Sequence, residues 1–246
     1  MAGPALSVVV PVFNEQDNVA PLVGEIVAAL RGRPPGEGGD FEIVYVDDDS
    51  DDATLERLRA LKAEVPELRV LHHRRRSGQS TAIRNGVKAA RGAWIATLDG
   101  DGQNDPADIP KLLAERAKAP ADIKLFAGWR VQRKDSGSKR IASKLANAIR
   151  SRMLRDATPD TGCGIKLFER EAFLELPHFN HMHRYLPALM QRAGHRAVSV
   201  PVGHRHRGSG VSKYNNLNRA LAGISDLRGV AWLIRRGKAT RAEEVD

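Results

Sequence analysis

Four short apolar runs, each opening into a polar cluster, constrain this chain more than any other feature of its 246 residues. Leu6 to Val12 (LSVVVPV) leads into Phe13-Asn14-Glu15, and Phe41 to Val46 (FEIVYV) into Asp47-Asp48-Asp49-Ser50-Asp51-Asp52. Leu68 to Leu71 (LRVL) leads into His72 to Arg76, and Ala93 to Leu98 (AWIATL) into Asp99-Gly100-Asp101-Gly102-Gln103-Asn104. Continuous aliphatic and β-branched runs suit parallel strands buried on both faces. Between them, Val19, Leu22, Val23, Ile26, Val27 and Leu30 recur at helical spacing behind N-cap candidates at Asn14 to Asn18. Residues 53–64 read as a second helix ending before Pro66, and Thr81 to Ala90 as a third. Alternation of this kind predicts an α/β fold, a mostly parallel central sheet with helices on both faces.

Open parallel sheets bind ligands along the C-terminal ends of their strands. The strand order therefore places Asn14 and Glu15, Asp47 and Asp48, the Arg74 to Gln79 loop, and Asp99 with Asp101 on one rim. Two carboxylates one residue apart at a strand end suit a hard divalent cation, whose other oxygen ligands come from phosphate and water. Gly100 and Gly102 are expected to let the backbone turn and approach that ligand. An ordinary acidic turn is the structural alternative for Asp99 to Asn104, and helix-dipole capping is the alternative for Asp47 to Asp52. Convergence of four such strand ends favours a site.

Farther along, residues 106–118 read as a helix and Ile123 to Ala127 as a strand. Arg130 to Arg155 is strongly basic, with Ile141, Leu145, Ile149, Met153 and Leu154 interleaved, as in an amphipathic helix suited to anionic head groups or a solvated face. Asp160-Thr161-Gly162-Cys163-Gly164 adds an acid beside backbone able to approach a ligand. His178, His181 and His183 lack the thiolate partners of a structural zinc site. Ala197 to Val202 reads as a last strand, followed by the basic loop His204 to Lys213 and a helix over Leu217 to Ile234. A net charge of +9 implies an anionic partner, which charge alone leaves open between nucleic acid, a lipid surface and a phosphorylated substrate. The single Cys163 fits a reducing compartment. Without a leader-like N-terminus or an apolar run of ~18 residues, the expected location is cytoplasmic, with any membrane contact peripheral on the inner face.

In order along the chain, V-V-V-P-V-F-N-E (8–15), V-D-D-D-S-D-D-A-T (46–54), D-G-D-G-Q-N-D-P (99–106), D-T-G-C-G-I-K-L-F (160–168) and R-G-S-G-V-S-K (207–213) resemble the inverting GT-A glycosyltransferases of family 2. The likeness is to the polyprenyl-phosphate sugar transferases typified by dolichol-phosphate mannose synthase. It implies a GT-A domain over residues 1–215, with residues 216–246 a C-terminal amphipathic helix and frayed tail. It implies a metal-dependent enzyme that moves a hexose from a nucleotide-diphosphate sugar, of GDP-mannose or UDP-glucose type, to a polyprenyl phosphate.

Carried over position by position, Pro11, Phe13, Glu15 and Asp48 match residues around the donor's base and ribose. Asp99, Asp101 and Gln103 match the site for Mg²⁺ or Mn²⁺, with Asp101 also counted as catalytic. Arg130, Lys139, Arg140, Ser143, Arg207, Ser212 and Lys213 match positions holding donor diphosphate or acceptor phosphate. Asp160 falls near the reacting centre, as base or as positioner. The chain departs from the family at Asp49, where Gly is common, which bears on base selectivity, and in lacking C-terminal transmembrane helices. Three alternatives remain: a family 2 enzyme acting on a glycan or lipid hydroxyl, a nucleic-acid-binding protein, and a catalytically silent nucleotide-sugar binder, against which the intact metal-site residues speak. Low aromatic content (5%) and the acidic strand ends speak against nucleic acid as a partner.

Overall fold

The apolar runs form strands because each can be covered on both sides. Every residue of β1 (Leu6–Val12) and β2 (Phe41–Asp47) is buried. The computed structural model describes residues 3–130, 149–156, 158–203, 205 and 216–237, with the backbone alone at 216–222. β1 and β2 are joined by β3 (Leu68–His72), β4 (Trp94–Thr97), β5 (Ile123–Arg130), β6 (Lys166–Glu169) and β7 (Arg196–Val202) in a seven-stranded sheet of order β3-β2-β1-β4-β6-β5-β7. All pairings are parallel except those of β6, which runs antiparallel to both β4 and β5.

Alternation along the strands sorts side chains into two cores. Val8, Val10 and Val12 share one core with α1 (Val19–Leu30), α2 (Thr54–Glu64) and α4 (Ile109–Lys118), through residues such as Ile26, Leu58 and Leu112. Val9, Val44 and Val46 share the other with α3 (Gln79–Ala89), α5 (Arg170–Leu174) and α6 (Leu186–Arg192), through Ile83, Phe173 and Leu189. Val230 and Ala231 of α7 (Asn216–Arg236) join this second core. At roughly 1.5–3 kcal/mol per fully buried aliphatic side chain, these two layers dominate the favourable side of folding. Among the described residues no helix is long and apolar enough to cross a membrane.

Two expectations need correction. The sequence places Arg150 on a basic helix face, but only 149–154 of that helix lies within the described residues, and there Arg150 is buried. It donates to Asp156 at 3.1 Å and to the Thr158 carbonyl at 2.5 Å, while Ile149 and Met153 are exposed. A buried guanidinium needs such acceptors, so this cation braces the loop before Asp160. α3 begins at Gln79 rather than Thr81, behind Gly78 with φ 87°, which puts Gln79 and Ser80 in its first turn.

At the opposite edge from the rim, Glu42 fastens β1 and β2 to the start of β4. It accepts from Ser7 Oγ at 2.7 Å, from the Arg91 amide at 2.6 Å and from Arg69 at 2.5 Å. Burial opposes ionisation, but these donors win, and the pKa lies below the usual glutamate value. A depressed acid contributes stability that is present above its unfolded pKa of about 4.3 and disappears as pH falls through the folded value. Glu42→Gln is expected to lower unfolding free energy at neutral pH by about 1–3 kcal/mol. In urea-unfolding midpoints compared at constant slope, the gap from wild type narrows below about pH 4.

Candidate active site

β4 ends in the middle of the sheet, and the residues after it meet contributions from four other elements. Asp99 is half-buried; its Oδ1 accepts from Gln79 Nε2 of α3 at 2.8 Å, and its backbone N–H donates to Asn104 Oδ1 at 3.1 Å. Asp101 Oδ1 accepts from the Gln103 amide at 3.1 Å, and the Gln103 carbonyl accepts from the Arg205 amide at 3.1 Å. Arg205 also reaches Asp105 at 2.7 Å and Glu25 at 2.8 Å, pinning the end of the β7 arm to this loop. Desolvation first, and the neighbouring Asp101 second, push the Asp99 pKa up.

The two glycines of the motif do different jobs, and Gly100 departs from the one expected of it. Gly102, with φ 73°, makes the turn. Gly100 does not face a ligand: a Cβ there would collide with Val12 and stand 3.0 Å from the Pro11 carbonyl, so its bareness lets the loop pack on β1. The glycine that leaves room for the carboxylate is Gly164, where a Cβ would overlap Asp99 Oδ2 and Asn104 Oδ1.

Reversal of β6 explains why that glycine is here. An antiparallel strand starts where its neighbours end, so the Asp160 to Gly164 loop and Lys166 arrive on the rim from the opposite chain direction. Lys166 is 3% exposed, and its Nζ donates to the Cys163 carbonyl. Burial lowers its pKa, while Cys163, Asp99 and Asp160 favour its charge. Asp160, 4% exposed, holds Arg130 through two bonds, Nε to Oδ2 at 2.7 Å and Nη2 to Oδ1 at 2.9 Å, and also accepts from the Gly162 amide at 3.2 Å. Planar two-point pairing of this kind orients both partners. Asp160 therefore engages Arg130, and the two act as one unit. Desolvation raises the pKa of the buried Cys163 thiol.

On the other side of the loop stand the residues expected around a base and ribose. Pro11 is buried in β1, and Phe13 lies under Arg76, whose guanidinium carbon sits 3.9 Å from the ring centroid. The Glu15 amide donates to Thr54 Oγ1 at 2.9 Å, and its carboxylate accepts from Asn18 at 2.6 Å, at the start of α1. Asp48 clamps the loop before α3, accepting from the Ser77 amide at 2.8 Å, the Gly78 amide at 2.7 Å and His73 at 2.7 Å. Asp49 adopts φ 64°, so the left-handed turn that glycine would make is retained. The acidic run also ties two loops together, through Asn14 with Ser50 and Asp51 and through Gln16 with Asp52.

Lys139, Arg140, Ser143, Arg207, Ser212 and Lys213 lie outside the described residues. Sequence reasoning missed Lys166, whose residue type predicts a solvated head group even within the apolar run Ile165 to Phe168. It also missed the role of Gln79 and the segment 180–184. His181 Nδ1 pairs with Asp226 of α7 at 2.8 Å, and His183 Nδ1 with Ser80 Oγ of α3 at 2.7 Å. A cavity of about 630 Å³ opens beside Asp99, lined in part by Arg76, Gln79, Arg130, Lys166, His181 and Arg184.

Comparison with known proteins follows the same geometry. The profile of Glycosyl transferase family 2 matches residues 7–176, which spans β1 to the end of α5. The chain belongs to glycosyl transferase family 2. It is 37% identical over 238 residues to the dodecaprenyl-phosphate galacturonate synthase of Rhizobium johnstonii, covering 94% of this chain and 67% of that protein. It is 35% identical over 211 residues to the undecaprenyl-phosphate 4-deoxy-4-formamido-L-arabinose transferase of Edwardsiella ictaluri, covering 85% of this chain and 62% of that one. The fold is the GT-A fold of that family. A mannosyltransferase from Pyrobaculum calidifontis, solved with GDP-Man and Mn²⁺, superposes with a TM-score of 0.68 at 21% identity, over 97% of this chain and 66% of that one. The glucosyl-3-phosphoglycerate synthase of Mycobacterium tuberculosis, solved with Mn²⁺ and UDP-glucose, gives 0.69 at 21%, over 93% and 80%.

A divalent cation fits the residues present. Asp99, Asp101 and Gln103 are oxygen donors on one short loop, and positive charge would relieve the crowding that raises the Asp99 pKa. Among the described residues no three His, Cys, Asp or Glu side chains form a metal cluster. Phosphate oxygens and water would be suitable further ligands for Mg²⁺ or Mn²⁺. Gly164→Ala is expected to displace the Asp99 carboxylate and weaken Mn²⁺-dependent nucleotide binding at least ~10-fold, by loss of a charged ligand. Titration calorimetry reads that loss, with unchanged far-ultraviolet dichroism showing that the fold is intact.

Proposed function

We propose that the protein transfers a sugar from a nucleotide-diphosphate donor to a polyprenyl phosphate, with inversion at the anomeric carbon. The observation that carries the acceptor class is the two-point hold of Arg130 on Asp160. Transfer to a hydroxyl needs a proton acceptor placed for that task, whereas this carboxylate is occupied in orienting a guanidinium. A phosphate monoester has its second pKa near ~6 and reaches the site largely dianionic, so it attacks without a base. Both curated relatives carry names that pair a polyprenyl phosphate with a sugar, and the chain spans about two thirds of their length.

In this reading Asp99, Asp101 and Gln103 hold a Mg²⁺ or Mn²⁺ ion, which offsets charge developing on the leaving nucleoside diphosphate. The protein's own residues do the rest. Gln79 and Asn104 fix Asp99 in place, and the nearby Lys166 favours its charged form. Arg130, held by Asp160, presents its guanidinium to the cavity as a fixed anion-orienting group. Pro11, Phe13, Glu15 and Asp48 shape the side on which base and ribose lie, and the left-handed turn at Asp49 keeps that side as a glycine would. Lys139, Arg140, Ser143, Arg207, Ser212 and Lys213 complete the phosphate contacts. The donor is a hexose or related sugar on UDP or GDP. The protein works in the cytoplasm, peripheral to the membrane that carries its lipid acceptor; residues 1–215 form the catalytic domain and 216–246 a C-terminal helix and tail.

Asp101→Ala is expected to abolish radiolabelled sugar transfer to polyprenyl phosphate, by a factor of about 10² or more, while leaving the unfolding transition in place. Wild-type turnover in that variant under full chelation would contradict the reading. Transfer to a hydroxyl acceptor in preference to the lipid phosphate would move the assignment to the glycan-modifying branch of the family.

A further inference from the structure

The entry of the metal loop, at Asp99, is fixed by Gln79 and Asn104. Its exit, at Gln103 to Asp105, is fixed from another direction, by the chain that leaves β7. The Gly203 amide donates to Asp108 Oδ2 at 2.8 Å, and two residues later the Arg205 amide donates to the Gln103 carbonyl at 3.1 Å. The Arg205 guanidinium then forks, with one Nη 2.7 Å from Asp105 Oδ2 and the other 2.8 Å from Glu25 Oε2. One side chain thus joins α1, the metal loop and the end of β7.

Each foot of this brace stands on something fixed. Glu25 is carried by α1 among Leu22, Val23 and Ile26, all buried in the first core. Asp105 caps the 3₁₀ turn Pro106–Asp108: its Oδ1 accepts from the Ala107 amide at 2.9 Å, while its Oδ2 meets Arg205. Asp108, 2% exposed, accepts from Lys111 of α4 as well as from Gly203. Between these anchors Gln103 is held on both sides, its N–H on Asp101 Oδ1 and its carbonyl on Arg205. A change at Arg205 therefore reaches the Asp101 carboxylate through a single residue.

Stability alone is a poor reason for such a brace. The Arg205 side chain is 42% exposed, and exposed ion pairs contribute little to folding. A planar fork that bridges two carboxylates on separate elements instead fixes direction. What it fixes here is a loop of oxygen donors, whose usefulness to a divalent cation depends on their spacing. Groups that orient ligands from behind commonly change metal affinity by about 10–100-fold when removed.

We infer that Arg205 is a positioning residue for the cation site: by bridging Glu25 and Asp105 it sets the exit of the metal loop, so that Asp101 and Gln103 keep their places beside Asp99. The inference rests on the proposed use of that loop for Mg²⁺ or Mn²⁺. It makes Asp105 an anchor of the loop rather than a ligand, although it is a third carboxylate in the same D-G-D-G-Q-N-D-P run.

The test is Mn²⁺ binding to the full chain, followed by titration calorimetry and by the paramagnetic resonance signal of free Mn²⁺, alone and with UDP or GDP. Arg205→Ala is expected to weaken Mn²⁺ binding about 10-fold, and Arg205→Lys, which lacks the fork, to recover part of it. Asp105→Asn keeps an oxygen for the Ala107 amide and is expected to weaken binding in the same direction. The double variant is then no weaker than Arg205→Ala, because both changes remove the same contact. Raising Mn²⁺ restores nucleotide binding to Arg205→Ala, as lowered metal affinity requires and a lost fold does not allow. The thermal unfolding midpoint without Mn²⁺ stays near that of wild type.

Unchanged Mn²⁺ affinity in Arg205→Ala would overturn the inference and leave the cation site standing, and so would losses that add in the double variant. Where Arg205→Ala does not fold, Arg205→Lys and Asp105→Asn carry the comparison, and wild-type affinity in both overturns it. A wild-type chain that binds no Mn²⁺, alone or with either nucleotide, would remove the metal reading and this inference together. An Arg205-dependent Mn²⁺ site in a chain that transfers no sugar would contradict the proposed function alone.

Discussion

A half-buried carboxylate at the end of a central strand sets the terms for everything around it. Asp99 stands one residue from Asp101, in surroundings whose desolvation already disfavours its charge. Such a group is tolerable only if donors and counter-charge are fixed near it. The structure recruits them from separate parts of the chain: Gln79 from α3, Asn104 from the loop itself, Lys166 from β6, and the bare Cα of Gly164 to leave room. Each lies where a strand ends or begins, and only the packing of the whole sheet brings them together. A cation would complete the same balance with its own charge, which is why the arrangement suits a site that gains and loses a charged ligand.

The antiparallel strand is the topological device that makes this work. A fully parallel sheet would bring only strand ends and the loops after them to the rim. With β6 reversed between β4 and β5, residues that precede a strand arrive there too, and Asp160, Gly164 and Lys166 enter the site from that side. The result is alternation of opposite charges, Lys166 beside Asp99 and Arg130 on Asp160. That alternation resolves the apparent conflict between an acidic motif and a chain of net charge +9. Among the described residues that line the cavity, Asp99 is the one carboxylate beside four Lys and Arg side chains.

Much of this is legible in the sequence, for physical reasons that differ by element. β1, β2 and β4 announce themselves because a strand buried on both faces must be apolar throughout, and the rim follows because each run stops in polar residues. The left-handed turn at Asp49 is an open question from sequence, since aspartate adopts that conformation less readily than glycine. Lys166 and Arg150 are hidden because residue type speaks for solvent, and only tertiary packing shows that each is buried against carbonyl oxygens. Gly100 misleads because a glycine in a turn and a glycine under a neighbouring strand look alike in one dimension. In the 180–184 segment the sequence shows closely spaced histidines but not their partners, Ser80 and Asp226, which are 103 and 45 residues away from His183 and His181.

For this chemistry to work, the Asp99 loop must hold a nucleoside diphosphate through a divalent cation. The most direct measurement is the thermal unfolding midpoint of the chain in UDP and in GDP, each with Mn²⁺ and with chelator. Ligand that binds only the folded state stabilises it by RT ln(1 + [L]/Kd). One nucleotide is expected to raise the midpoint in Mn²⁺ and to lose that effect on chelation. Equal stabilisation with and without the cation, or none from either nucleotide, would contradict it.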